Sequence, residues 1–412
     1  MSAAIQLLRR RPDFRRLWLG NMVSQLGDWI GWVAVAVLAL HGGGGPMDVA
    51  VVFVAHHLPA AALTPVSGAL ADRFDRRRVL IVVSLLLSVT TLLMVAAAMA
   101  SMIGLLQGLL VVRSAMTAFF SPAERAALPR VVHRDEILVA SAVDAGTWSV
   151  VFSLGMALGG LLTALGPALA LAIDALTFVA AAMLFARLPP IPPESSNSGA
   201  RVDKPSMWGE LLTALRYMGP RAELRQAILA KGPLALAGGA AWLALAMKSE
   251  ALAGAAVGFG LLNAIRGVGT GIGPALVAWR LSRNGMRARL WTGAYVAGLL
   301  GMLGFAAADS LGTALLAVVA WGVGSGANWV LSGERIAVLV PDRLQARLNA
   351  VDQISMILGQ TLGVVLLAAW LTGGGSAATG VGLLAAVAAV AWALLAWPRR
   401  LREPSATEAV RV

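Results

Sequence analysis

The sequence predicts an all-α membrane protein in which twelve transmembrane helices form two six-helix bundles. Three observations predict this fold. First, 58% of the 412 residues are hydrophobic and 13% are charged, whereas soluble domains are about half apolar and a quarter charged. Second, twelve apolar stretches are long enough to cross roughly 30 Å of hydrocarbon. Third, basic residues cluster in alternate loops, and short sequences from the first half of the chain return later in the second.

The apolar stretches form two groups of six, separated by one long polar segment. The predicted spans are residues 17–40, 48–71, 79–100, 102–120, 137–164, 167–188, 225–247, 252–279, 288–308, 311–332, 344–371 and 377–397. Prolines at 189–193 and a polar run at 194–199 are typical of a flexible linker. We therefore predict four segments: an N-terminal bundle at 1–188, a cytoplasmic linker at 189–221, a C-terminal bundle at 222–398 and a cytoplasmic tail at 399–412.

The distribution of lysine and arginine predicts the orientation. Of 33 such residues, 29 lie in the two tails, the linker and the loops after even-numbered spans. Because cytoplasmic loops carry an excess of basic residues, both termini and the linker are expected in the cytoplasm. The net charge of +12 then faces the anionic surface of the bilayer, and nucleic-acid binding is not expected. Cysteine is absent and there are four histidines, so we expect neither a metal site nor a cofactor.

The two halves of the chain carry related sequences. Asp13-Phe14-Arg15 matches Glu223-Leu224-Arg225, and Trp32 matches Trp242, both at an offset of 210. Ala142-Val143-Asp144 matches Ala350-Val351-Asp352 at an offset of 208. Parallel six-helix repeats are an architecture that secondary transporters use. The glycines in Gly155-Met156-Ala157-Leu158-Gly159-Gly160 permit close helix packing. The same run resembles the G-P-x-x-G-G antiporter motif of the major facilitator superfamily, with Met156 in place of proline, and that resemblance implies a hinge as the alternative.

The loop between the second and third spans carries the most specific motif. Residues 68–80, GALADRFDRRRVL, resemble the G-x-L-a-D-R-x-G-R-[RK] motif of the major facilitator superfamily, with Asp75 in place of glycine. The form of this loop, together with Pro122-Ala123-Glu124-Arg125 and Ile173-Asp174-Ala175-Leu176-Thr177-Phe178, resembles the branch that includes enterobactin-exporter-like and macrolide-efflux-like proteins. The resemblance implies the major facilitator fold, a location in the bacterial cytoplasmic (inner) membrane, and a monomer.

The same resemblance implies a gate at the cytoplasmic side. In the family this loop latches the cytoplasmic side shut, and that role is expected here for Gly68, Asp72, Arg73 and Arg76. A purely topogenic basic loop is the alternative. Asp144 and Asp352 lie near the cytoplasmic ends of their spans, and we expect them to join the gate with Arg130, Arg134 or Arg343.

Charges within the spans are candidates for function because hydrocarbon excludes them. Asp28 lies roughly 16 Å into the first span at 1.5 Å per residue, and Arg113 lies about as deep in the fourth. We predict an Asp28–Arg113 pair that couples transport to protons, with a static buried pair and a polar contact to substrate as alternatives. For Asp174 we expect a structural hydrogen bond between helices, and for Lys231 a side chain that reaches the cytoplasm.

Further polar and aromatic residues are predicted to line a central substrate cavity. Arg266 has no acidic partner in the second half, so it is a candidate for an anionic substrate group. For His56 two roles stay open, titration and packing between helices. The predicted cavity residues are Asn21, Gln25, Trp29, Trp32, Asn263, Arg266, Asn328 and Gln360.

These features predict a proton-coupled exporter that works by alternating access. Its substrates would be small amphipathic molecules, drug-like or siderophore-like. An importer or facilitator of a small metabolite is the alternative, followed by a non-transporting membrane sensor or scaffold. No P-loop, HExxH or GxSxG sequence occurs, and an enzyme is not expected.

Overall fold

A computed structural model describes residues 3–71, 73–193, 207–284 and 287–396, and its regular structure is helical throughout. The α-helices in this part of the chain are α1 (Ala3–Arg10), α2 (Pro12–His41), α3 (Pro46–Ala71), α4 (Arg76–Met99), α5 (Ile103–Val131), α6 (Ile137–Leu165), α7 (Pro167–Phe185), α8 (Met207–Met218), α9 (Ala222–Leu229), α10 (Lys231–Ala253), α11 (Ala255–Asn284), α12 (Arg287–Ala307), α13 (Leu311–Leu339), α14 (Asp342–Thr372) and α15 (Ala377–Ala396). Twelve segments are long and apolar enough to cross a membrane, with α9 and α10 counted as one. The predicted fold class is confirmed.

The helix ends differ from the prediction in two instructive places. The fourth predicted span ends at residue 120, but α5 continues to Val131 through Pro122 and Pro129. The seventh span is divided at Ala230 into α9 and α10. Pro233 lies just after the division, and a proline has no N–H to donate to the carbonyl four residues before it. The predicted separation of the third and fourth spans is confirmed at residues 100–102, where Ser101 has a φ of 56°.

The helices pack in the same way in both halves of the chain. In the first half, α2–α7, α2 packs against α6 and α7, while α5 packs against α3 and α4. In the second half, α9–α15, α10 packs against α14 and α15, while α13 packs against α11 and α12. The two halves meet through α6 with α11 and through α3 with α14; we call this contact surface the seam. The packing therefore follows the internal repeat, while the exact domain boundaries stay a prediction.

Glycines form the closest part of the seam. A Cβ atom added at Gly260 would lie 2.5 Å from the Met156 carbonyl oxygen and 2.9 Å from the Gly160 nitrogen, so the backbones of α6 and α11 touch directly. Within the first half, the faces of Gly155 and Gly159 lie against Trp29 and Ile30 of α2. This is the close packing that small residues permit in membrane helices.

The seam contacts that can be assigned to named residues in the described part of the chain lie from the middle of the bundle to the end remote from α1 and the start of α2. We call the end formed by α1, the start of α2 and the α3–α4 loop the basic face. Remote from it, the Trp242 ring lies 5.5 Å from that of Trp32 and 4.9 Å from that of Phe53. Nearest to the basic face among these contacts is that of Ser149 with Gly271. Ser149 is twelve residues into α6, roughly 18 Å along the helix axis.

The Ser149–Gly271 contact provides a direct test of the seam. A Cβ atom built on Gly271 lies 3.6 Å from the Cβ of Ser149, within the usual range for a disulfide. We expect the double variant Ser149→Cys/Gly271→Cys to oxidise readily in a chain that has no cysteine of its own. With a protease site engineered into the linker, the cleaved halves should stay together on a non-reducing gel and separate after reduction.

The matched control for this disulfide is Ser141→Cys/Gly271→Cys. Ser141 lies two turns closer to the basic face, about 12 Å along α6, and should not cross-link. Equal cross-linking of the two double variants would contradict the described seam.

Candidate functional site

Three charged side chains meet between α2, α5 and α7 within the first half; we call Asp28, Arg113 and Asp174 the charge triad. Nη2 of Arg113 lies 2.5 Å from Oδ1 of Asp28 and 2.9 Å from Oδ2 of Asp174. Arg113 is 4% exposed and Asp174 is fully buried, whereas the side chain of Asp28 is 28% exposed. One guanidinium thus connects a buried carboxylate with a partly accessible one.

Glycines on α2 make room for the triad. A Cβ atom at Gly31 would overlap the Asp174 carboxylate, and one at Gly27 would overlap Asp174 and Thr177. The Phe178 ring covers the other side, with its centroid 5.2 Å from Cζ of Arg113. The pair of α2 and α7 can therefore pack closely around a carboxylate because α2 has no side chain at these two positions.

The charge of the triad determines what chemistry it can perform. Two carboxylates and one guanidinium carry a net charge of −1, so one added proton would leave the group neutral. In hydrocarbon a neutral group is strongly favoured over a charged one. Asp28 is the carboxylate that solvent reaches, whereas Oδ1 of Asp174 has no hydrogen-bond donor among the described residues. One proton taken up from solvent at Asp28 would therefore neutralise the group.

The structure brings together the predicted pair of Asp28 and Arg113 and adds Asp174 to it. For Asp174 the expectation was a structural hydrogen bond between helices, and its contact with Arg113 is an ion pair instead. A signal for this was present in the sequence, because a second acid within the first-half spans needs a cation and Arg113 is the nearest by depth.

A second buried ion pair lies in the second half. Nζ of Lys231 is 2.6 Å from Oδ2 of Asp352, and their side chains are 5% and 2% exposed. The Trp329 ring lies 4.3 Å from the same Nζ atom. This geometry corrects the expectation that Lys231 reaches the cytoplasm. It also gives Asp352 a lysine partner where an arginine of the gate was expected, while the Arg343 side chain lies outside the described part.

The equivalent position in the first half holds a neutral amide where the second half has the lysine. Asn21 corresponds to Lys231 at an offset of 210, and Asp144 to Asp352 at an offset of 208. Nδ2 of Asn21 donates to Asp144 at 3.2 Å and to Glu124 at 3.5 Å. Asn21 therefore binds two carboxylates beside a cavity of about 310 Å³ that opens on α5 and α6. The same contact recurs in both halves, but with a charge in one and an amide in the other.

The motif loop binds the start of the linker. The backbone N–H of Arg76 donates to the Ile191 carbonyl at 2.9 Å, and its side chain donates to the Pro192 carbonyl at 2.5 Å. Arg73 is exposed in the turn. Gly68 lies within α3, and Asp72, the acid of the predicted latch, lies outside the described residues. The latch stays a prediction.

The predicted cavity residues occupy three different surroundings. Gln25, Trp29 and Gln360 are half-buried. Trp32 is 3% exposed and packs at the seam against the rings of His56, 4.3 Å away, and Trp242. His56 therefore packs at a helix interface. Asn328 is 2% exposed and accepts a hydrogen bond from Trp291 at 2.6 Å, a contact within the second half.

Arg266 and Asn263 lie together on α11 at the seam. Nη2 of Arg266 donates to Oδ1 of Asn263 at 3.1 Å. The Phe152 ring of the first half and the Trp321 ring of the second lie 5.2 and 4.9 Å from Cζ of Arg266. Neither aromatic residue was singled out in the sequence, because apolar rings within apolar spans carry no distinguishing pattern.

Two bundles of six helices with the same packing, joined by a glycine seam and carrying buried charge groups, define a membrane transporter of the major facilitator type. The sequence family described as transmembrane secretion effector matches residues 6–410. The chain belongs to this family of the major facilitator superfamily, and the predicted resemblance to the macrolide-efflux branch is confirmed. Its family and its structural neighbours are transporters, as expected for a chain that is not an enzyme.

Two relatives illustrate the similarity in sequence. The uncharacterized MFS-type transporter YfiS of Bacillus subtilis is 32% identical over 165 residues, which cover 38% of this chain and 37% of that protein. Macrolide efflux protein A of Streptococcus pyogenes is 27% identical over 151 residues, 36% of this chain and 37% of that protein. The chain thus matches less than two-fifths of the length of either relative.

Solved structures show the same fold. The nucleoside transporter NupG, as a point mutant, superposes with a TM-score of 0.74 at 13% identity over 93% of this chain and 98% of that one. A bacterial homologue of the iron transporter ferroportin, in an inward-facing state, gives 0.70 at 14% identity over 94% and 99%. At these identities the comparison shows the fold alone.

The charge triad predicts a clear pattern of stabilities. Arg113→Gln leaves Asp174 ionised and fully buried without a cation, and we expect it to lower the free energy of unfolding by about 3–5 kcal/mol. Arg113→Gln/Asp174→Asn removes the stranded charge and should recover most of that loss. Unfolding of the purified protein in detergent, followed by circular dichroism, measures the difference.

The control for the triad is Arg16→Gln, because Arg16 pairs with Asp13 on the same bundle with both side chains more than a third exposed. An exposed pair contributes at most about 1 kcal/mol. A double variant that is as unstable as Arg113→Gln alone would contradict the pairing of Arg113 with Asp174.

The Lys231–Asp352 pair predicts an equivalent result in the second half. Lys231→Met leaves the Asp352 carboxylate 2% exposed with no cation, so we expect a loss of about 3–5 kcal/mol that Lys231→Met/Asp352→Asn largely restores. The same unfolding measurement applies, with Asn21→Ala as the matched variant at the equivalent position, where hydrogen bonds from an uncharged amide to carboxylates, worth about 1.5–3 kcal/mol, are lost. Equal losses for Lys231→Met and Asn21→Ala would show that the ion pair stabilises the protein no more than the hydrogen bonds of Asn21 do.

Proposed function

We propose that this transporter is a proton-coupled exporter of small amphipathic molecules that works by alternating access. The observation that carries the proposal is the charge triad, in which Arg113 lies between the buried Asp174 and the partly exposed Asp28. A group with two acids and one base in hydrocarbon is suited to accept one proton and to release it again. That is the property that coupling to a proton gradient requires.

The coupling step follows from the shared guanidinium. When Asp28 takes a proton, its attraction for Arg113 falls and Asp174 remains as the ionic partner. Arg113 can then shift toward α7, and α2 is released on the side that faces Asp28. A cationic or polar group of the substrate would compete with the proton for the Asp28 carboxylate, so that the two are carried in opposite directions.

Helix α2 connects the triad with the seam. Trp29 follows Asp28 directly, and its ring lies 4.8 Å from that of Phe152 on α6. Trp32, one turn further along, contacts Trp242 of the second half. A change at Asp28 can therefore alter the contacts by which the two halves hold together, and this supports a link between protonation and rocking of the halves.

The position of the seam contacts supports an inward-facing arrangement. The contacts between the halves described above lie from the middle of the bundle to the end remote from the basic face. By the distribution of lysine and arginine, the basic face lies in the cytoplasm. We propose that the halves are apart on that side, where an exporter takes up its substrate, and that the protein is a monomer of the inner membrane with both termini inside.

Macrolide efflux protein A supports export over import among the alternatives. Because that relative is matched over 37% of its length, its substrate serves here as a probe and not as an assignment. Erythromycin is an amphipathic amine and would exercise the Asp28 carboxylate directly.

The proposal is tested by proton-driven uptake into inside-out membrane vesicles from a strain without its other efflux pumps. We expect the wild type to accumulate labelled erythromycin when the vesicle interior is acidic. Asp28→Asn should lower this accumulation by about tenfold or more, a typical size for lost coupling, while exchange of labelled for unlabelled erythromycin without a gradient persists. Asp13→Asn, an exposed carboxylate on the same helix, is the control.

Two outcomes would overturn the proposal. Full gradient-driven accumulation by Asp28→Asn would exclude coupling through the triad. Failure of wild-type vesicles to accumulate erythromycin, ethidium or 2-naphthoate above empty vesicles would exclude export of amphipathic molecules. Greater uptake of these probes by intact cells that carry the protein would favour an importer.

A further inference from the structure

We infer that Arg266 binds an anionic group of transported molecules, so that amphipathic acids with an aromatic or apolar body are among the substrates; this inference rests on the proposed transport function. Arg266 lies on α11 at the seam, half-buried, between a ring of each half. Its guanidinium is therefore placed where a bound molecule would contact both halves at once.

Arg266 differs from Arg113, Lys231 and Arg335 in having no carboxylate partner among the described residues. Arg113 pairs with Asp28 and Asp174, Lys231 pairs with Asp352, and Arg335 pairs with Glu223. Within the described part of the chain, Arg266 instead has the amide oxygen of Asn263 and two aromatic faces. Its Nε is buried and has no hydrogen-bond acceptor there. The positive charge and at least one donor are thus left for a ligand.

The chemistry of the group selects the kind of ligand. A guanidinium presents a planar set of donors that matches a carboxylate, and its attraction is strong where water is excluded. The rings beside it favour an apolar or aromatic body. Phe152 is stacked on Trp148 at 5.3 Å, and the Trp148 side chain is 41% exposed, so the aromatic surface continues beyond Arg266.

A continuous set of contacts joins this position to the charge triad. Trp29 follows Asp28 in α2, its ring contacts Phe152, and Phe152 contacts Arg266. An acid bound at Arg266 would press on Phe152 and, through it, on Trp29, whose neighbour in sequence is Asp28. The substrate and the proton therefore act on the same aromatic contact from its two sides, which provides a route for coupling without direct contact between them.

The test is binding of 2-naphthoate to the purified protein in phosphatidylcholine nanodiscs, measured by isothermal titration calorimetry. This lipid keeps anionic headgroups out of the assay. We expect the wild type to bind 2-naphthoate about ten- to a hundredfold more tightly than 2-naphthamide, as for a hydrogen bond to a charged group. Arg266→Gln should lower the affinity for 2-naphthoate to that for the amide, and Arg266→Lys should give an intermediate value.

The matched control is Arg280→Gln, which removes an exposed guanidinium from the same helix, beside the ring of Trp279. It should bind 2-naphthoate as the wild type does. Equal affinity of the wild type for acid and amide, unchanged binding by Arg266→Gln, or no binding of 2-naphthoate at millimolar concentration would each overturn the inference. Because the comparison of acid with amide uses the wild type, it holds even if a variant does not fold.

Failure here is distinguishable from failure of the transport proposal. If erythromycin is exported in a proton-driven way that depends on Asp28 but acid and amide bind equally, the exporter stands and the role of Arg266 falls. If 2-naphthoate binds through Arg266 but no gradient drives its accumulation, the binding site stands and proton coupling falls.

Discussion

The cost of a charge in hydrocarbon is the constraint on which this structure depends. Arg113 and Lys231 are each placed so that an opposite charge meets them from another helix. Asp174 requires Arg113 beside it and glycines opposite it, which sets the approach of α2 and α7. The same constraint joins Lys231 to Asp352 between α10 and α14. Electrostatic compensation and helix packing are therefore two descriptions of one arrangement.

The internal repeat explains the fold, and its exceptions explain the chemistry. Both halves use the same helix contacts, and both hold a polar contact between their first and fifth spans. In the first half that contact is Asn21 with Asp144, and in the second it is Lys231 with Asp352. The triad has no counterpart of the same composition, since Gly238 stands 210 residues after Asp28. The two halves therefore share their helix packing and differ in the charged residues at a few equivalent positions.

How far the sequence could predict the molecule depended on whether a feature was local. Spans follow from runs of apolar residues, which are local, and all twelve were predicted. The division at Ala230 and the length of α5 were not predicted. A proline in the sequence does not show whether a helix ends there, because packing against other helices can hold the helix together on both sides of it. Asp28 and Arg113 were paired from their depth alone. The environment of Lys231 was predicted wrongly because its partner lies 121 residues away in the sequence. Phe152 and Trp321 were missed because the sequence of an apolar span does not show whether a ring faces a charged residue or another apolar one.

The glycine contacts of the seam bear on the activation barrier for relative movement of the two halves. Interlocked side chains would have to change rotamer in concert before two helices could slide, and each change would add to the activation barrier. Where Gly160 meets Gly260, backbone touches backbone and no side chain must clear the way. Such a surface resists separation through its close contact but offers little friction to rotation. We therefore expect this contact to add little to the activation barrier for any relative movement of the two halves.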